Sequence, residues 1–160
     1  MKTNIRTATI HDVEQMVPLL IALDRLHAEA YPTIFDESKI KYDIRKSFLL
    51  ENINKPDNLF LLAESRQYII GIIHCYIQET KNQPIKKDKK SVVLSDLYVV
   101  ENFRNNGIAQ QLIKTTVDTI KGKWAVNDMF LNVFNENKEA IKLYEKCGFQ
   151  QQFTRYFITI

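Results

Sequence analysis

The stretch from Asp96 to Ala109 limits the possible fold more than any other part of this sequence. Apolar and β-branched residues lead into it and predict a strand; they are Leu94, Leu97, Val99 and Val100. The next segment, Glu101 to Gly107, is polar and ends at one of only four glycines in the protein, which indicates a tight turn. Helical spacing follows at Ala109, Leu112, Ile113, Thr116, Val117 and Ile120. The sequence therefore predicts a strand, a polar turn and a helix in direct succession.

The start of that helix is a candidate anion site. The first N–H groups of a helix have no intrahelical partners, and this end of the helix carries a partial positive charge. When such an end faces a pocket, it binds anions such as phosphate. Gly107 has no Cβ to keep a ligand from the backbone, and Arg104 adds a cation. The turn has neither the Gly-Lys-Ser/Thr of a P-loop nor the three-glycine dinucleotide fingerprint. On its own, Arg-x-x-Gly-x-Ala fits an ordinary strand-to-helix connection equally well.

A second motif lies between Asn137 and Phe149, where the sequence reads Asn-Lys-Glu-Ala-Ile-Lys-Leu-Tyr-Glu-Lys-Cys-Gly-Phe. It predicts a short helix that ends at Gly148 and is followed by strand-like residues. The two motifs together resemble the GNAT superfamily of acetyl-CoA-dependent N-acetyltransferases. The first is similar to its Arg/Gln-x-x-Gly-x-Gly/Ala pyrophosphate loop, and the second to its Asn-x-x-Ala-x-x-Leu-Tyr-x-x-x-Gly-Phe segment.

The rest of the sequence fits the element order of that superfamily, β-α-α-β-β-β-α-β-α-β-β. We expect strands at 4–8, 59–64, 68–80, 92–100 and 128–134, one or two closing strands from 149 to 160, and helices at 13–27, 36–51, 104–121 and 137–146. Pro18 should kink or split the first helix. The resemblance implies an α/β fold with a single GNAT domain over residues 1–160. Its mixed sheet would have roughly six to seven strands, antiparallel in the N-terminal half with a central splayed parallel pair, and about four flanking helices.

Composition limits the classes of function. At 160 residues, with 45% hydrophobic and 26% charged residues, the chain is predicted to be one soluble domain with its own core. A net charge of +3 is too small to indicate nucleic-acid binding, and suits an anionic coenzyme or substrate. The lysine-rich segment from Lys81 to Lys90 predicts a solvated loop, with a docking site for an acidic partner as the alternative. Because it lacks interleaved aromatics, we expect no nucleic-acid partner.

Cysteine and histidine patterns predict no metal site. Cys75 and Cys147 are far apart and form no metal pattern, so free thiols in a reducing cytosol are expected. The histidines show no zinc-protease spacing; they are His11, His27 and His74. The N-terminus has no apolar signal segment, and the longest apolar run, Met16 to Leu23, is too short to span a membrane. We therefore expect a cytoplasmic protein that is not bound to a membrane.

The resemblance implies where acetyl-CoA, the expected co-substrate, would bind. The backbone N–H groups from Asn105 to Gln110 would hold its pyrophosphate, with Arg104 assisting. The backbone of Leu97 to Val99 would pair with the pantetheine arm as a pseudo-strand. In the second motif, Asn137 would bond the pantetheine and Ala140 would leave room for it. The expected cofactor contacts are Leu97, Tyr98, Val99, Arg104, Asn105, Asn106, Gly107, Ile108, Ala109, Gln110, Asn137, Ala140 and Tyr144.

Two residues are candidates for catalysis. Tyr144 shares a helix face with Asn137 and Ala140. The resemblance implies that its phenol, which stays protonated at neutral pH, protonates the departing thiolate. The alternative is an aromatic side chain that packs on the sheet. Asp96 is the only acid on the central strand and is the candidate base for the amine.

The sequence leaves alternatives for the group that takes the proton from the amine. A structural role for the Asp96 carboxylate at a strand bulge is equally compatible with the sequence. Ser95 occupies the neighbouring position, where some family members carry glutamate. His74 and Glu29 are weaker candidates, and the amine can also arrive as its small free-base fraction.

A polar and aromatic cluster at the break after the first helix is the candidate acceptor site. It contains His27, Tyr31, Pro32 and Phe35, to which Tyr156 could be added, and His74 is a further candidate for contact with the substrate. His27 is equally explained as a packed helix residue. The resemblance implies direct transfer of an acetyl group to a primary amine of a small molecule or peptide in a ternary complex. The alternative is a CoA-binding sensor or scaffold without turnover. The resemblance also implies a possible homodimer, because family members often pair through a sheet edge or C-terminal strands.

Overall fold

Five strands form one mixed sheet whose order follows the chain. The computed structural model describes residues 3–156 and 158. The strands are β1 (Asn4–Thr7), β2 (Asn58–Ser65), β3 (Tyr68–Thr80), β4 (Lys89–Val99) and β5 (Asp128–Phe130). Neighbouring strands from β1 to β4 run antiparallel, whereas β4 and β5 run parallel. The predicted α/β fold, with an antiparallel N-terminal half and a parallel strand pair, is confirmed.

The strand count is lower than the predicted six to seven, because the closing strands are not found among the described residues. As a result the parallel pair lies at the edge of this sheet and not at its centre. Phe153 and Tyr156 are exposed, so the segment after residue 149 buries no apolar face that would hold it against the sheet. For the same reason Tyr156 does not join the acceptor cluster. Residues 157, 159 and 160, which the predicted last strand includes, lie outside the described residues.

Four α-helices flank the sheet, as predicted. They are α1 (Val13–Ala30), α2 (Tyr42–Asn52), α3 (Ile108–Lys123) and α4 (Lys138–Lys146). Helices α1 and α2 cover one face, and α3 and α4 cover the other. On β2, Phe60 and Leu62 are buried with α1, whereas Leu59 and Leu61 are buried with α3. Because both faces are covered, this strand is apolar at successive positions and shows no alternation.

Helix α1 begins after a capping arrangement between Thr9 and Asp12. The amide and the hydroxyl of Thr9 donate to Asp12 Oδ2 at 2.8 and 2.9 Å, and Arg6 forms an ion pair with the same carboxylate. Pro18 was predicted to kink or split this helix; the split is wrong, since α1 continues through it. Pro18 removes one intrahelical donor, and the helix continues without that hydrogen bond. The predicted end before Tyr31 is confirmed.

Two predicted helices begin later than expected. The segment that starts at Asp36 makes only a short 3-10 turn, because Ile40 and Lys41 adopt extended conformations; α2 starts at Tyr42. Helix α3 starts at Ile108 and not at Arg104, since Asn105 and Gly107 have φ values of 61° and 74°. A residue with positive φ cannot continue a right-handed helix.

The parallel strands separate soon after they meet. Only Ser91 to Val93 of β4 pair with β5, at Asp128 to Phe130. Strand β4 continues to Val99 with no partner strand on this side among the described residues, so a gap opens between the two strands. We call this gap the cleft. The predicted splayed pair is thereby confirmed, and the edge of β4 is available along the cleft.

No helix within the described ranges, residues 3–156 and 158, is both long and apolar enough to cross a membrane.

Candidate active site

Among the described residues, no strand pairs with the part of the β4 edge that faces the cleft, although the Val99 carbonyl accepts a hydrogen bond from Arg104. On its other side the strand pairs with β3, and the amide of Val100, the next residue, donates to Ile70 O at 2.9 Å. Backbone groups of alternate residues point to opposite sides of a strand. The N–H and C=O groups of Leu97 and Val99 therefore point away from β3, into the cleft. An extended ligand with amide groups can pair with them as an added strand.

The turn after β4 places a helix N-terminus at the same end of the cleft. Gly107 precedes α3, and its carbonyl accepts the first helical bond, from the amide of Gln111 at 3.0 Å. The amides of Ile108, Ala109 and Gln110 come before that bond and have no partner within the helix. A Cβ on Gly107 would meet no atom within 4 Å. The positive φ, and not crowding, is what favours glycine there.

Arg104 connects the turn to β4. Its Nε donates to Val99 O at 3.0 Å, and its guanidinium carbon lies 5.6 Å from the centre of the Tyr98 ring. Asn106 Nδ2 donates to the carbonyls of Phe103 and Arg104, which holds the turn in shape. These contacts fix one guanidinium nitrogen and leave the positive charge of Arg104 beside the start of α3.

Helix α4 carries the second motif. Asn137 precedes the helix, and its Oδ1 accepts from the amide of Ala140 at 3.1 Å, so this oxygen is used as a cap. Tyr144 packs against the core under α3, with the ring of Phe149 at 5.8 Å. Burial, with smaller contributions from Cys147 and Cys75, raises the pKa of Tyr144 to about 12. The phenol is therefore protonated at neutral pH and can donate a hydrogen bond.

Asp96 lies on the opposite face of β4, towards α1 and α2. The register between β3 and β4 shifts at this point and leaves Ser95 without a partner, so the predicted bulge is present. Asp96 Oδ2 lies 3.1 Å from His74 Nδ1. Burial raises the pKa of Asp96, but the hydrogen bond and charge of His74 and the charge of Arg45 outweigh burial, and the pKa is lower than usual. The bulge therefore holds an ionised carboxylate.

Of the predicted acceptor residues, His27, Tyr31 and Phe35 come together, whereas His74 does not. His27 stacks with Phe35 at 5.3 Å between ring centres, and Tyr31 stacks with Phe134 at 3.8 Å. Phe134, which follows β5, also contacts Phe35 edge to face. His74 is apart from this cluster, because it is buried against the sheet and stacks on Phe60. Burial lowers the pKa of His27, and the charges of Asp96 and Asp24 partly offset this.

An open cavity of about 350 Å³ adjoins the cluster between α1 and α2. Its wall includes Phe35, Ile44 and the ion pair between Asp24 and Arg45. The cavity has room for a small amine or the end of a peptide. Sequence reasoning missed Phe134, Asp24 and Arg45 as neighbours of the site, since nothing in their local sequence marks them. Glu29, a weaker candidate base, is exposed on α1.

The part of the chain that the structure describes contains no group of three or more His, Cys, Asp or Glu side chains that could hold a metal ion.

Comparison with known proteins gives a single family. The model of the Acetyltransferase (GNAT) family matches residues 20–149. An N-alpha-acetyltransferase from Sulfurisphaera tokodaii is 28% identical over 152 residues, which cover 92% of this chain and 80% of that protein.

Solved structures agree on the fold. A mutant of the BH1408 protein from Bacillus halodurans superposes with a TM-score of 0.83 at 22% identity, and the match covers 98% of this chain and 99% of that one. The aminoglycoside N-acetyltransferase AAC(6')-Iy in complex with CoA gives a TM-score of 0.76 at 18% identity, with 99% and 95% covered. At these identities the likeness establishes the shared fold.

Proposed function

The chain belongs to the acetyltransferase (GNAT) family, and from this premise we propose that it is an acetyl-CoA-dependent N-acetyltransferase. The acetyl group passes directly from acetyl-CoA to a primary amine of a small molecule or peptide, within a ternary complex. The observation that carries the proposal is the unpaired edge of β4 beside the N-terminus of α3. One ligand with an amide-bearing arm and a pyrophosphate uses both features at once.

The cofactor lies along the cleft in this proposal. The pantetheine amides pair with the backbone of Leu97 and Val99, and the pyrophosphate lies on the free amides of Ile108 to Gln110. Arg104 supplies a positive charge at the pyrophosphate. Holding the thioester in a fixed place makes attack by the amine effectively unimolecular, which supplies much of the rate enhancement. The fold likeness to an enzyme in complex with CoA supports this use of the cleft.

Tyr144 and Asp96 act on the two sides of the thioester. They lie on opposite faces of β4, so the sulfur meets the phenol while the amine arrives from the side of α1 and α2. The amine nitrogen becomes positive as it bonds to the carbonyl carbon and must then lose one proton. The Asp96 carboxylate stabilises that charge and takes the proton, and Tyr144 donates a hydrogen bond to the departing thiolate.

The amine enters through the cavity and the aromatic cluster. Tyr31, Phe35 and Phe134 present ring faces, which attract an ammonium group by cation–π interaction. The N-alpha-acetyltransferase among the relatives supports a peptide α-amine as acceptor, and the aminoglycoside N-acetyltransferase supports a small molecule.

Calorimetric titration with acetyl-CoA tests the cofactor site, with 3′-dephospho-CoA and ATP as comparison ligands. We expect micromolar binding of acetyl-CoA and much weaker binding of ATP, since ATP has no pantetheine arm. Arg104→Ala should weaken binding roughly tenfold or more, the usual contribution of a charge-assisted hydrogen bond. Arg25→Ala, which removes an exposed arginine on α1, is the matched control and should bind as the wild type does.

Thiol release with a panel of amines then tests the reaction. The panel contains peptides with a free N-terminus, the same peptides with a blocked N-terminus and a free lysine, a polyamine and an aminoglycoside. Release that depends on one class of amine supports the proposal and identifies the acceptor. Tight acetyl-CoA binding without release by any amine would indicate a CoA-binding module instead. No binding of acetyl-CoA would refute both the acetyltransferase and the CoA-binding module.

A further inference from the structure

A buried chain of polar side chains leads from the surface to Asp96, and the proposed mechanism uses only its last member. Asn58 Nδ2 donates to Asp57 Oδ1 at 3.0 Å, and Asn58 Oδ1 lies 2.8 Å from His74 Nε2. His74 Nδ1 in turn lies 3.1 Å from Asp96 Oδ2. Asn58, His74 and Asp96 are all buried. Apolar residues of similar shape would fill the same space with no hydrogen bonds to satisfy, so the chain specifies something beyond a filled core.

The hydrogen-bond partners determine where the protons of His74 lie. Because the Asn58 amide nitrogen donates to Asp57, the amide presents its oxygen to Nε2, and Nε2 must carry a hydrogen. Nδ1 faces a carboxylate oxygen, and two lone pairs would repel at 3.1 Å. Nδ1 must therefore carry a hydrogen whenever Asp96 is ionised. As arranged, the ring presents Nδ1 to the Asp96 carboxylate and Nε2 to the Asn58 oxygen.

Three aromatic side chains hold the imidazole in one orientation. The Phe60 ring lies parallel to it, with 4.0 Å between ring centres and 4° between the planes. Phe48 meets it edge to face at 5.6 Å, and Tyr76 lies at 5.9 Å. With its plane fixed, the ring directs its Nδ1 hydrogen at one carboxylate oxygen. The side chain of His74 is 3% exposed and that of Asp96 is 11% exposed, so a ligand can reach the pair only through Asp96.

We propose that His74 is a positioning residue for Asp96, whose carboxylate its Nδ1–H holds in the ionised form and aimed at the acceptor side. A neutral carboxylic acid could neither take a proton from the attacking amine nor stabilise its positive charge. His74 itself passes no proton onward, because its outer nitrogen donates to an amide oxygen, which is a very weak base. The inference rests on the proposed function for its purpose, but the pairing itself can be measured without any substrate.

The charged and titratable groups around Asp96 come from three elements. His74 and Cys75 lie on β3, His27 on α1 and Arg45 on α2. Arg45 is already bound to Asp24, and burial lowers the pKa of His27. His74 is therefore the donor in direct contact with the carboxylate, and removing it leaves burial as the largest influence on the pKa of Asp96.

The first experiment is a carbon NMR titration of the Asp96 carboxyl group in the wild type and in His74→Phe, which keeps the stack on Phe60. We expect the Asp96 midpoint to rise by at least about one pH unit in His74→Phe. His11→Phe, which replaces an exposed histidine, should leave it unchanged. An equal midpoint in the wild type and His74→Phe would overturn the proposal. If His74→Phe does not fold, nitrogen NMR of the wild type decides, because an Nδ1 without a proton while Asp96 is ionised contradicts the pairing.

The second experiment is the pH profile of kcat/KM for the amine. In His74→Phe the acid limb should move to higher pH, with a loss of at least about tenfold near neutral pH that narrows as the pH rises. His74→Asn, which keeps a donor near the position of Nδ1, should recover part of the loss. An equal proportional loss at every pH would indicate a purely structural role and would overturn the proposal. If the wild type acetylates no amine, the proposed function fails, while the NMR titration still decides the role of His74.

Discussion

Replacing Tyr144 with phenylalanine removes one hydroxyl group, and the structure sets the size of the expected effect. The pKa of Tyr144 is raised to about 12 by burial, whereas an ordinary thiol has a pKa of about 8.5. Full transfer of the phenol proton to the thiolate is therefore uphill by about 3.5 units, or about 5 kcal/mol at 1.36 kcal/mol per unit. Such a transfer would hinder the reaction more than it helped.

A hydrogen bond without proton transfer is favourable by a smaller amount. A hydrogen bond to a charged group contributes about 1.5–3 kcal/mol. Tyr144→Phe should therefore lower kcat roughly 10- to 150-fold, with the thiolate taking its final proton from water. The affinity for acetyl-CoA should stay near that of the wild type, because the hydroxyl acts on the sulfur only as charge develops there.

The assay is thiol release at saturating amine, together with calorimetric binding of acetyl-CoA. Tyr68→Phe, which changes a tyrosine that is 73% exposed at the start of β3, is the matched control. A loss below about threefold would mean that the hydroxyl does not reach the sulfur. A loss above about a thousandfold, with a changed pH profile, would mean that Tyr144 gives up its proton after all.

Two changes to the scaffold test the local reasoning. Gly107→Ala should lower the free energy of unfolding by about 1–2 kcal/mol, because it forces an alanine to a positive φ. Gly122→Ala, near the end of α3 and with open space for its Cβ, should raise the free energy of unfolding by roughly 0.5–1 kcal/mol. Urea unfolding measures both variants, and a change of the same sign in both would contradict the different roles given to the two glycines. Asp12→Asn should lower the free energy of unfolding by about 1.5–3 kcal/mol at pH 7, because Arg6 and Thr9 lose a charged acceptor. The hydrogen bond to Arg6 lowers the pKa of Asp12, so the stability that the carboxylate contributes is present above about pH 4 and is lost as the pH falls through the folded-state pKa. A difference in free energy of unfolding between the wild type and Asp12→Asn that stays constant in acid would refute this role of the carboxylate.

Sequence patterns were sufficient for the elements that bury apolar side chains in regular order. Strands β2 and β3 lie close to the predicted ranges 59–64 and 68–80, and Arg66 and Gln67 connect them, both with positive φ. Gly71 lies at a close approach inside β3. An added Cβ would lie 3.2 Å from Tyr98 O, and the register of β2 and β3 shifts beside it.

The predicted starts of α2 and α3 were wrong, because they depend on backbone conformations that polar sequences do not reveal. Arg104 to Asn106 are ordinary helix-compatible residues, and the extended conformation of Arg104 and the positive φ of Asn105 and Gly107 exclude them from α3. In the same way, Asp36 accepts from the amide of Ser38 and forms a local turn in place of the predicted longer helix. Local hydrogen bonds of Asp and Asn compete with helix formation in a manner that spacing cannot show.

In the candidate site, sequence motifs identified the residues along the chain and tertiary structure supplied their neighbours. The motif residues from Arg104 to Gln110 and at Tyr144 were found because they lie within two continuous segments. Phe134 was expected to be part of a longer β5, but the strand ends at Phe130 and leaves Phe134 free to stack on Tyr31. Asn58 carries no pattern at all, and its role follows only from its distance to His74.

The short pairing between β4 and β5 also governs how the molecule opens. Only three residues of β5 join the sheet, and α4 has no fully buried residue. The strands from β2 to β4, in contrast, are buried on both faces. Segments with little buried apolar surface open locally at a lower free energy than the rest of a fold. The segment from β5 to α4 can therefore detach while the remaining sheet and α3 stay folded, and a ligand that bridges β4 and α4 would slow this local unfolding.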